Sequence, residues 1–172
     1  MIPAWVDGAL TPVGKLDAHQ RGLRHKAVSV FVNCGSETLL QRRALSKYHT
    51  PGLWANACCT HPFWEEDPID CATRRLTEEL GLSGLTPEYV GHVHYRADVG
   101  NGLVEDEEVD IFVATCAEKP ECAPSPDEVM DIRWIDFSEA ASDIRNAPER
   151  YTPWISIYFA RHLHMFDQRP AI

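Results

Sequence analysis

The chain has 172 residues, which is enough for one domain with an ordinary hydrophobic core. Its formal net charge of −10 argues against a nucleic-acid-binding protein, which would present a basic face. No apolar run approaches the roughly 20 residues that a helix needs to cross a bilayer. The first residues have neither a basic region nor a long apolar segment, so we do not expect them to be a secretory signal. We therefore expect a cytoplasmic protein with no membrane partner, whose six cysteines are reduced.

We expect one domain spanning residues 1–172, in which residues 1–13 are poorly ordered. Residues 27–32 are apolar and β-branched, so they predict a buried strand. A Gly-Ser turn follows this strand, and residues 38–42 are expected to pair with it as a hairpin.

A helix is predicted over residues 68–80, because Asp67 is a suitable N-cap, a proline follows it, and Gly81 suits the C-terminal end. Residues 89–99 and 104–115 predict two long strands joined by a Gly-Asn-Gly turn.

The C-terminal third predicts a short strand at residues 132–135, followed by a helix that Ser138 caps and that ends near Arg145. A last helix is expected to begin at Pro153, with its apolar residues close to one stripe. Strands and helices alternate, with hairpins among the strands, so we predict an α/β fold of the α+β type with a mixed sheet sandwiched between helices. The stripe consists of Ile155, Tyr158, Phe159, Leu163 and Phe166.

Two short segments carry groups that bind metals and move protons. If residues 56–62 and 104–108 are strands, a period of two places Cys59 and His61 on one face, and Glu105 and Glu107 on one face. A thiol, an imidazole and two carboxylates around one pocket would serve hydrolysis, isomerisation or a structural metal site.

Residues 60–82 have the spacing of the Nudix box, and they depart from its consensus at two positions. Thr60 stands where the box has Gly, and Arg75 stands where it has the first Glu of its helix. Nudix hydrolases use carboxylates on this helix to hold Mg²⁺ and activate water, so Arg75 argues against hydrolysis.

Three alternatives to an isomerase remain open for these segments. Glu66, Glu78 and Glu79 suggest a Nudix hydrolase of a nucleoside or prenyl diphosphate. The helix also has the spacing of an ordinary amphipathic helix with Arg–Glu pairs at i,i+4. A non-catalytic module with a structural metal is the third alternative, although such sites rarely combine this many His, Glu and Cys side chains.

Most of the chain, residues 14–159, resembles the type I isopentenyl-diphosphate isomerases, which have the Nudix fold. That family commonly has Cys-Gly-His-Pro where this chain has Cys59-Thr60-His61-Pro62. The other matching motifs are Arg42-Arg43-Ala44-Leu45-Ser46-Lys47, Pro51-Gly52-Leu53-Trp54, Tyr95-Arg96-Ala97, Glu105-Asp106-Glu107, Asp127-Glu128-Val129-Met130-Asp131 and Thr152-Pro153-Trp154.

The resemblance implies an isomerase that interconverts isopentenyl and dimethylallyl diphosphate by adding a proton at one carbon and removing one at another. Moving an unactivated double bond requires an acid and a base in a site that excludes water. The implied acid–base pair is Cys59 and Glu107, with Tyr95 hydrogen-bonded near the glutamate. Trp154 is implied to stabilise the carbocation with its π face.

The resemblance also implies two divalent cations and a diphosphate site. One cation is Mg²⁺ bound to the diphosphate and to Glu79; the other is Mn²⁺, Zn²⁺ or Mg²⁺ in a His/Glu site. The partner is a small-molecule diphosphate, and we expect a monomer or a weak homodimer. The implied ligands of the His/Glu site are His19, His25, His61, Glu105 and Glu107, and the implied diphosphate-binding residues are Lys15, Arg43, Lys47 and Arg75.

Overall fold

A single mixed sheet of nine strands organises residues 1–167, the part of the chain that this computed structural model describes. Its strands are β1 (Ile2–Val6), β2 (Ala9–Val13), β3 (Arg24–Cys34), β4 (Glu37–Arg43), β5 (Trp54–Asn56), β6 (Cys58–Thr60), β7 (Glu88–Gly100), β8 (Leu103–Thr115) and β9 (Val129–Asp136). The helices are α1 (Lys15–Arg21), α2 (Pro68–Leu80), α3 (Phe137–Asn146), α4 (Pro153–Arg161) and α5 (Leu163–Phe166), and a 3₁₀ turn spans Pro148–Arg150.

Strand β3 is the centre of the sheet. It runs parallel to β8 from Arg24↔Asp106 to Asn33↔Thr115, and antiparallel to β1, β4 and β6. Strands β7 and β8 form a long antiparallel hairpin, while β9 and β5 flank β4. This arrangement brings the start of β3, the start of β8 and the short strand β6 to the same region of the sheet.

The alternation of side chains along β3 explains why helices cover both faces. Val28 and Val30 point to one side and pack in a core that includes Leu76 of α2. Phe31 points to the other side and lies in a core with Tyr158 of α4. Its ring stacks on the ring of Phe166 in α5 at a centroid distance of 3.8 Å. A strand buried on both faces is apolar at nearly every position, as the sequence of β3 indicated. The predicted mixed sheet between helices is confirmed.

The N-terminal segment differs from its prediction. Instead of being poorly ordered, residues 1–13 form the β1–β2 hairpin, which pairs with β3 at Ala4↔His25. Ile2, Ala4 and Val13 are buried in a small third core against Ala18 of α1. The hairpin turns at Asp7-Gly8, and its apolar contacts with α1 give the segment the burial that a flexible arm would lack.

Two helix predictions need correction. Helix α3 begins at Phe137, and its N-cap is Asp136, whose Oδ1 accepts a hydrogen bond from the Ser138 backbone N–H at 2.8 Å. Ser138 therefore lies inside the first turn, because burial of Phe137 starts the helix earlier. The predicted last helix is interrupted at His162, where φ is −130°, so it forms α4 and α5.

Helix α2 matches its prediction in both bounds. It covers Pro68–Leu80 and ends at Gly81, which has the left-handed φ of 68° that glycine adopts without strain. Asp67 occupies the N-cap position, but its side chain makes no capping hydrogen bond. No helix within residues 1–167 is both long and apolar enough to span a membrane.

Candidate active site

A narrow cavity of about 20 Å³ lies where β4, β6 and β8 meet α1, α2 and α4. It has a buried acidic and imidazole side and a cationic side. Most of the residues predicted to be functional line it. The lining residues are Lys15, Arg43, Lys47, His49, Cys59, Thr60, His61, Arg75, Glu79, Glu105, Glu107, Glu128 and Trp154.

Strand β6 orients the two adjacent cysteines in opposite directions. Cys59 faces the cavity and packs at the edge of the core that contains Tyr158, whereas Cys58 is buried in the core beneath α2. The Cys58 thiol donates a hydrogen bond to Oε1 of Glu79 at 3.3 Å. Residues 56–62 are not one continuous strand, because they are divided between β5, β6 and the loop after β6. Cys59 and His61 nevertheless line the same cavity, as the period of two predicted.

Strand β8 places Glu105 and Glu107 on its buried face, with exposures of 2% and 1%. Tyr95 lies opposite Glu107 on β7, and its hydroxyl is 2.8 Å from Oε2 of Glu105 and 2.7 Å from Oε2 of Glu107. One hydroxyl has one proton to donate, so it satisfies one carboxylate at a time. The remaining charge has to be met by a proton or a cation.

The two carboxylates have different electrostatic surroundings. Burial and the neighbouring charge of Glu107 raise the pKa of Glu105 well above its usual range. Burial also opposes ionisation of Glu107, but contacts from His25 and His61 outweigh it and hold the pKa of Glu107 well below its usual range. Of the two carboxyl groups, Glu107 is therefore the one that ionises more readily.

Three imidazoles converge on Glu107. Backbone carbonyls fix two of them, because His19 Nδ1 lies 2.7 Å from the Lys15 oxygen and His25 Nδ1 lies 2.7 Å from the Leu23 oxygen. Each of these rings donates its Nδ1 proton to a carbonyl, so Nε2 is the nitrogen left to face the cluster. That nitrogen carries a lone pair when the ring is neutral and a proton when the ring is charged. His61 Nε2 lies 2.9 Å from Oε1 of Glu107, and His25 Nε2 lies 3.4 Å from the same oxygen.

This arrangement fits a divalent cation. Ligand atoms of His19, His25, His61 and Glu107 all lie within 4.8 Å of one another. The Nε2 atoms of His19 and His25 are buried and have no hydrogen-bond partner among the described residues. Buried polar atoms are normally paired, and two lone pairs aimed at a carboxylate are satisfied together by a cation.

Burial also controls the protonation of the remaining groups. It raises the pKa of the Cys59 thiol well above its usual value, with further contributions from Glu107 and Glu105. It lowers the pKa of His19 to about 4 and the pKa of His61 well below its usual value. At neutral pH the thiol is protonated and these imidazoles are neutral.

The other side of the cavity is cationic. Burial, Lys47 and Arg43 together lower the pKa of Lys15, which shows how closely the positive charges are crowded. Lys47 forms an ion pair with Glu128, and the Arg43 guanidinium lies 5.3 Å from the centroid of the Trp154 ring. Such crowding is costly without a bound anion, so this side suits a polyanionic group.

Arg75 and Glu79 are paired to each other on α2. Arg75 donates to Oε1 of Glu79 from Nε at 3.0 Å and from Nη2 at 2.7 Å, while Oε2 of Glu79 accepts from Gln41 at 2.9 Å. Arg75 also contacts Glu128 at 3.2 Å. The predicted i,i+4 pairs on this helix are present, and they leave Glu79 at the cavity wall with both oxygens occupied by protein donors.

Two cavity residues received no role from the sequence. His49 is 4% exposed and stacks against His19 at a centroid distance of 5.6 Å. Glu128 joins Lys47 to Arg75 and lies within a motif that the sequence singled out. A loop histidine has no periodicity to mark it, whereas the partners of Glu128 are distant in sequence, so only the tertiary structure reveals either contact.

The fold and the cavity define a class of protein. Residues 23–155 match the family model described as the NUDIX domain. A solved structure from Deinococcus radiodurans shares the fold with a TM-score of 0.66 at 13% identity, covering 79% of this chain and 81% of that chain. The chain belongs to the NUDIX family.

Curated relatives narrow this class. A Dinoroseobacter shibae protein named isopentenyl-diphosphate Delta-isomerase is 62% identical over 94% of this chain and 92% of its own length. A Cereibacter sphaeroides protein of the same name is 60% identical over 95% of this chain and 92% of its own length. Within the NUDIX family, the chain belongs with the isopentenyl-diphosphate Delta-isomerases.

Proposed function

We propose that this protein interconverts isopentenyl and dimethylallyl diphosphate. The observation that carries the proposal is the presence of a protonated thiol, Cys59, and an ionised carboxylate, Glu107, in the wall of one buried cavity that also has a cationic side. Relatives at about 60% identity bear the name of this activity.

The protonation states of Cys59 and Glu107 suit an isomerisation. One proton is added at one end of the allylic system and another is removed from the other end, so the double bond moves and no net proton is consumed. Cys59 and Glu107 hold one proton between them in the resting state, and they exchange roles when the direction reverses. Tyr95 lies between the two glutamates and is the positioning residue for Glu107.

A carbocation formed between these groups has to be shielded from water, or an alcohol would result. Trp154 is 1% exposed and forms part of the cavity wall, where its ring would make a cation–π contact with the carbocation in addition to its contact with Arg43. Such a contact contributes roughly 0.5–2 kcal/mol, so Trp154 assists the reaction without supplying the whole barrier reduction.

The residues that would hold the resident cation are His19, His25, His61, Glu105 and Glu107. When bound there, Mn²⁺, Zn²⁺ or Mg²⁺ supplies positive charge that keeps Glu107 ionised in a dry site. The neutral imidazoles and the two carboxylates are its natural ligands, since ligation requires free lone pairs.

Lys15, Arg43, Lys47 and Arg75 would bind the diphosphate. Arginine donates two parallel hydrogen bonds to phosphate oxygens, and lysine acts as a point charge. Glu79, on the same wall, would hold a Mg²⁺ ion carried by the diphosphate, and such an ion would offset part of the diphosphate charge.

The reaction in deuterated water tests the proposal directly. Cation-loaded protein incubated with isopentenyl diphosphate is expected to yield the dimethylallyl isomer with deuterium at the carbon that receives the proton, measured by NMR and mass spectrometry. Substrate that remains unchanged and free of deuterium with fully loaded protein would refute the isomerase proposal.

Hydrolysis of a nucleoside or prenyl diphosphate is not favoured. Arg75 stands where the hydrolase helix has a carboxylate, and its ion pairs with Glu79 and Glu128 place a positive charge where hydrolases need a negative one. Release of inorganic phosphate from the same substrate, measured in the same samples, would argue for hydrolysis instead.

A further inference from the structure

His49 lies in the loop between β4 and β5 and lines the same cavity as Glu105 and Glu107. The Arg43 guanidinium donates a hydrogen bond to the His49 carbonyl at 3.2 Å, and the Tyr48 ring lies 4.6 Å from the His49 ring. These contacts hold a buried imidazole against His19. The loop therefore presents His49 to the cluster in a defined position.

The spacing of His49 from its neighbours is that of cation ligands. His49 Nδ1 lies 3.2 Å from the Thr50 hydroxyl oxygen and 3.9 Å from Oε1 of Glu105, and the second distance is too long for a hydrogen bond. Two atoms bound about 2.1 Å from an ion lie about 3.0 Å apart in adjacent octahedral positions and about 4.2 Å apart in opposite ones. Ligand atoms of His19, His49 and Glu105 lie within 4.8 Å of one another, and all three residues are buried.

His19 connects this set to the first one. Its Nδ1 is engaged by the Lys15 carbonyl, so its only free lone pair is on Nε2, which is buried and unpartnered among the described residues. A single lone pair binds one ion at a time. The two sets that share His19 therefore serve one cation rather than two.

We propose that His49 is an additional ligand of this cation, acting with His19 and Glu105 beside the His25–His61–Glu107 set. A fourth imidazole favours nitrogen-preferring ions such as Zn²⁺ and Co²⁺ over Mg²⁺. His49 thus contributes to the choice of metal. The inference rests on the proposed function only in that both need a cation at this site.

Metal binding by the full chain, stripped with a chelator, tests the role of His49 without an activity assay. His49→Phe keeps a ring of similar size but has no lone pair, and it is expected to raise the Kd for Zn²⁺ at least about tenfold while changing the Kd for Mg²⁺ less. His49→Asn places an oxygen near the position of Nδ1, so it is expected to recover part of the Zn²⁺ affinity. His94→Phe changes an exposed histidine outside the cluster and is expected to leave affinity unchanged.

Co²⁺-loaded wild-type protein provides a measurement that does not depend on any variant. Its NMR spectrum is expected to contain hyperfine-shifted exchangeable imidazole protons from four ligated histidines. Three such signals, or an unchanged Zn²⁺ affinity in folded His49→Phe, would overturn this inference while leaving the isomerase proposal intact. If wild-type protein shows four such histidine signals but does not turn over isopentenyl diphosphate in deuterated water, the isomerase proposal is refuted and His49 remains a cation ligand.

Discussion

Two clusters of histidines and carboxylates lie on opposite faces of the β7–β8 hairpin and behave differently. We call them the inner cluster, which is buried, and the outer cluster, which is partly exposed. Successive residues of β8 alternate between them. The inner cluster consists of His19, His25, His49, His61, Glu105 and Glu107, and the outer cluster consists of His92, His94, Asp106, Glu108 and Asp110.

The same chemical groups are satisfied in the outer cluster and unsatisfied in the inner one. His92 contacts Glu108 at 2.5 Å and Asp110 at 3.1 Å, and His94 contacts Asp106 at 2.8 Å. In the inner cluster, Nε2 of His19 and of His25 has no hydrogen-bond partner within residues 1–167. Direct pairs satisfy the outer face, whereas the inner face needs a ligand from outside the chain.

The largest expected difference between the clusters is in turnover. Glu107→Gln removes the ionised carboxylate of the proposed acid–base pair, so it is expected to lower turnover by about 10²–10⁴-fold, and Cys59→Ala is expected to do the same. Glu108→Gln is the control on the outer face and is expected to keep turnover. Steady-state kinetics at saturating cation measure all three, and equal losses in Glu107→Gln and Glu108→Gln would contradict the assignment.

Removing divalent cations is expected to lower the thermal stability of the protein through the inner cluster and not through the outer one. A cation present at about 100 times its Kd stabilises the folded state by about 2.7 kcal/mol, and a chelator removes that contribution. Thermal unfolding with and without chelator measures it. His19→Ala is expected to abolish the chelator effect and His94→Phe to preserve it, so a chelator-insensitive wild-type protein would be evidence against a resident cation.

Tyr95→Phe tests how the inner carboxylates are satisfied. Loss of the hydroxyl between Glu105 and Glu107 is expected to lower the free energy of unfolding by about 1–3 kcal/mol in chelator-treated protein, because it leaves a buried acceptor unpaired. The outer counterpart, His94→Phe, breaks an exposed pair and is expected to cost less than about 1 kcal/mol. Urea denaturation compares the two variants; equal losses would show that burial makes no difference here.

The smallest effect is a pH dependence from the outer cluster. Burial of His92 opposes its protonation, but Glu108 and Asp110 outweigh burial and raise its pKa above the ordinary value of 6.5. The stabilisation of the folded state by the contacts of protonated His92 with Glu108 and Asp110 is therefore complete below pH 6.5. It is lost as the pH rises through the raised pKa of His92. His92→Gln should remove it, with a difference below about 1 kcal/mol because the pair is exposed. Urea denaturation from pH 5.5 to 8.5 gives this difference; a wild-type advantage that grows with pH would have the wrong sign.

Local patterns predicted most of the fold correctly. The bounds of α2 followed from a proline, a C-terminal glycine and apolar spacing, and the long β7–β8 hairpin followed from its Gly-Asn-Gly turn. The errors arose where tertiary burial outweighed local preference. Burial of Phe137 moved the start of α3 ahead of Ser138, and contacts with α1 ordered the N-terminal hairpin.

The candidate site was predictable in its residues, although their roles stay predictions. The resemblance supplied the residues, and most of them line one cavity together with His49 and Glu128, to which the sequence assigned no role. His19, His25 and Tyr95 lie behind the cavity wall and contact its carboxylates and imidazoles. His49 is in a loop without periodicity, and Glu128 meets Lys47 across 81 positions of sequence. Contacts of that separation depend on strand order, which no local pattern contains.

The sequence by itself determined which residues alternate along each strand, because the period of two follows from backbone geometry alone. It thereby separated Glu107 from Glu108, and Cys59 from Cys58. Only the tertiary structure decided which alternating face is buried and which imidazoles meet there, since pairing β3 with β8 brings together residues about 80 positions apart. Burial then makes the same carboxylate either a solvated surface charge or a group that requires a proton or a cation.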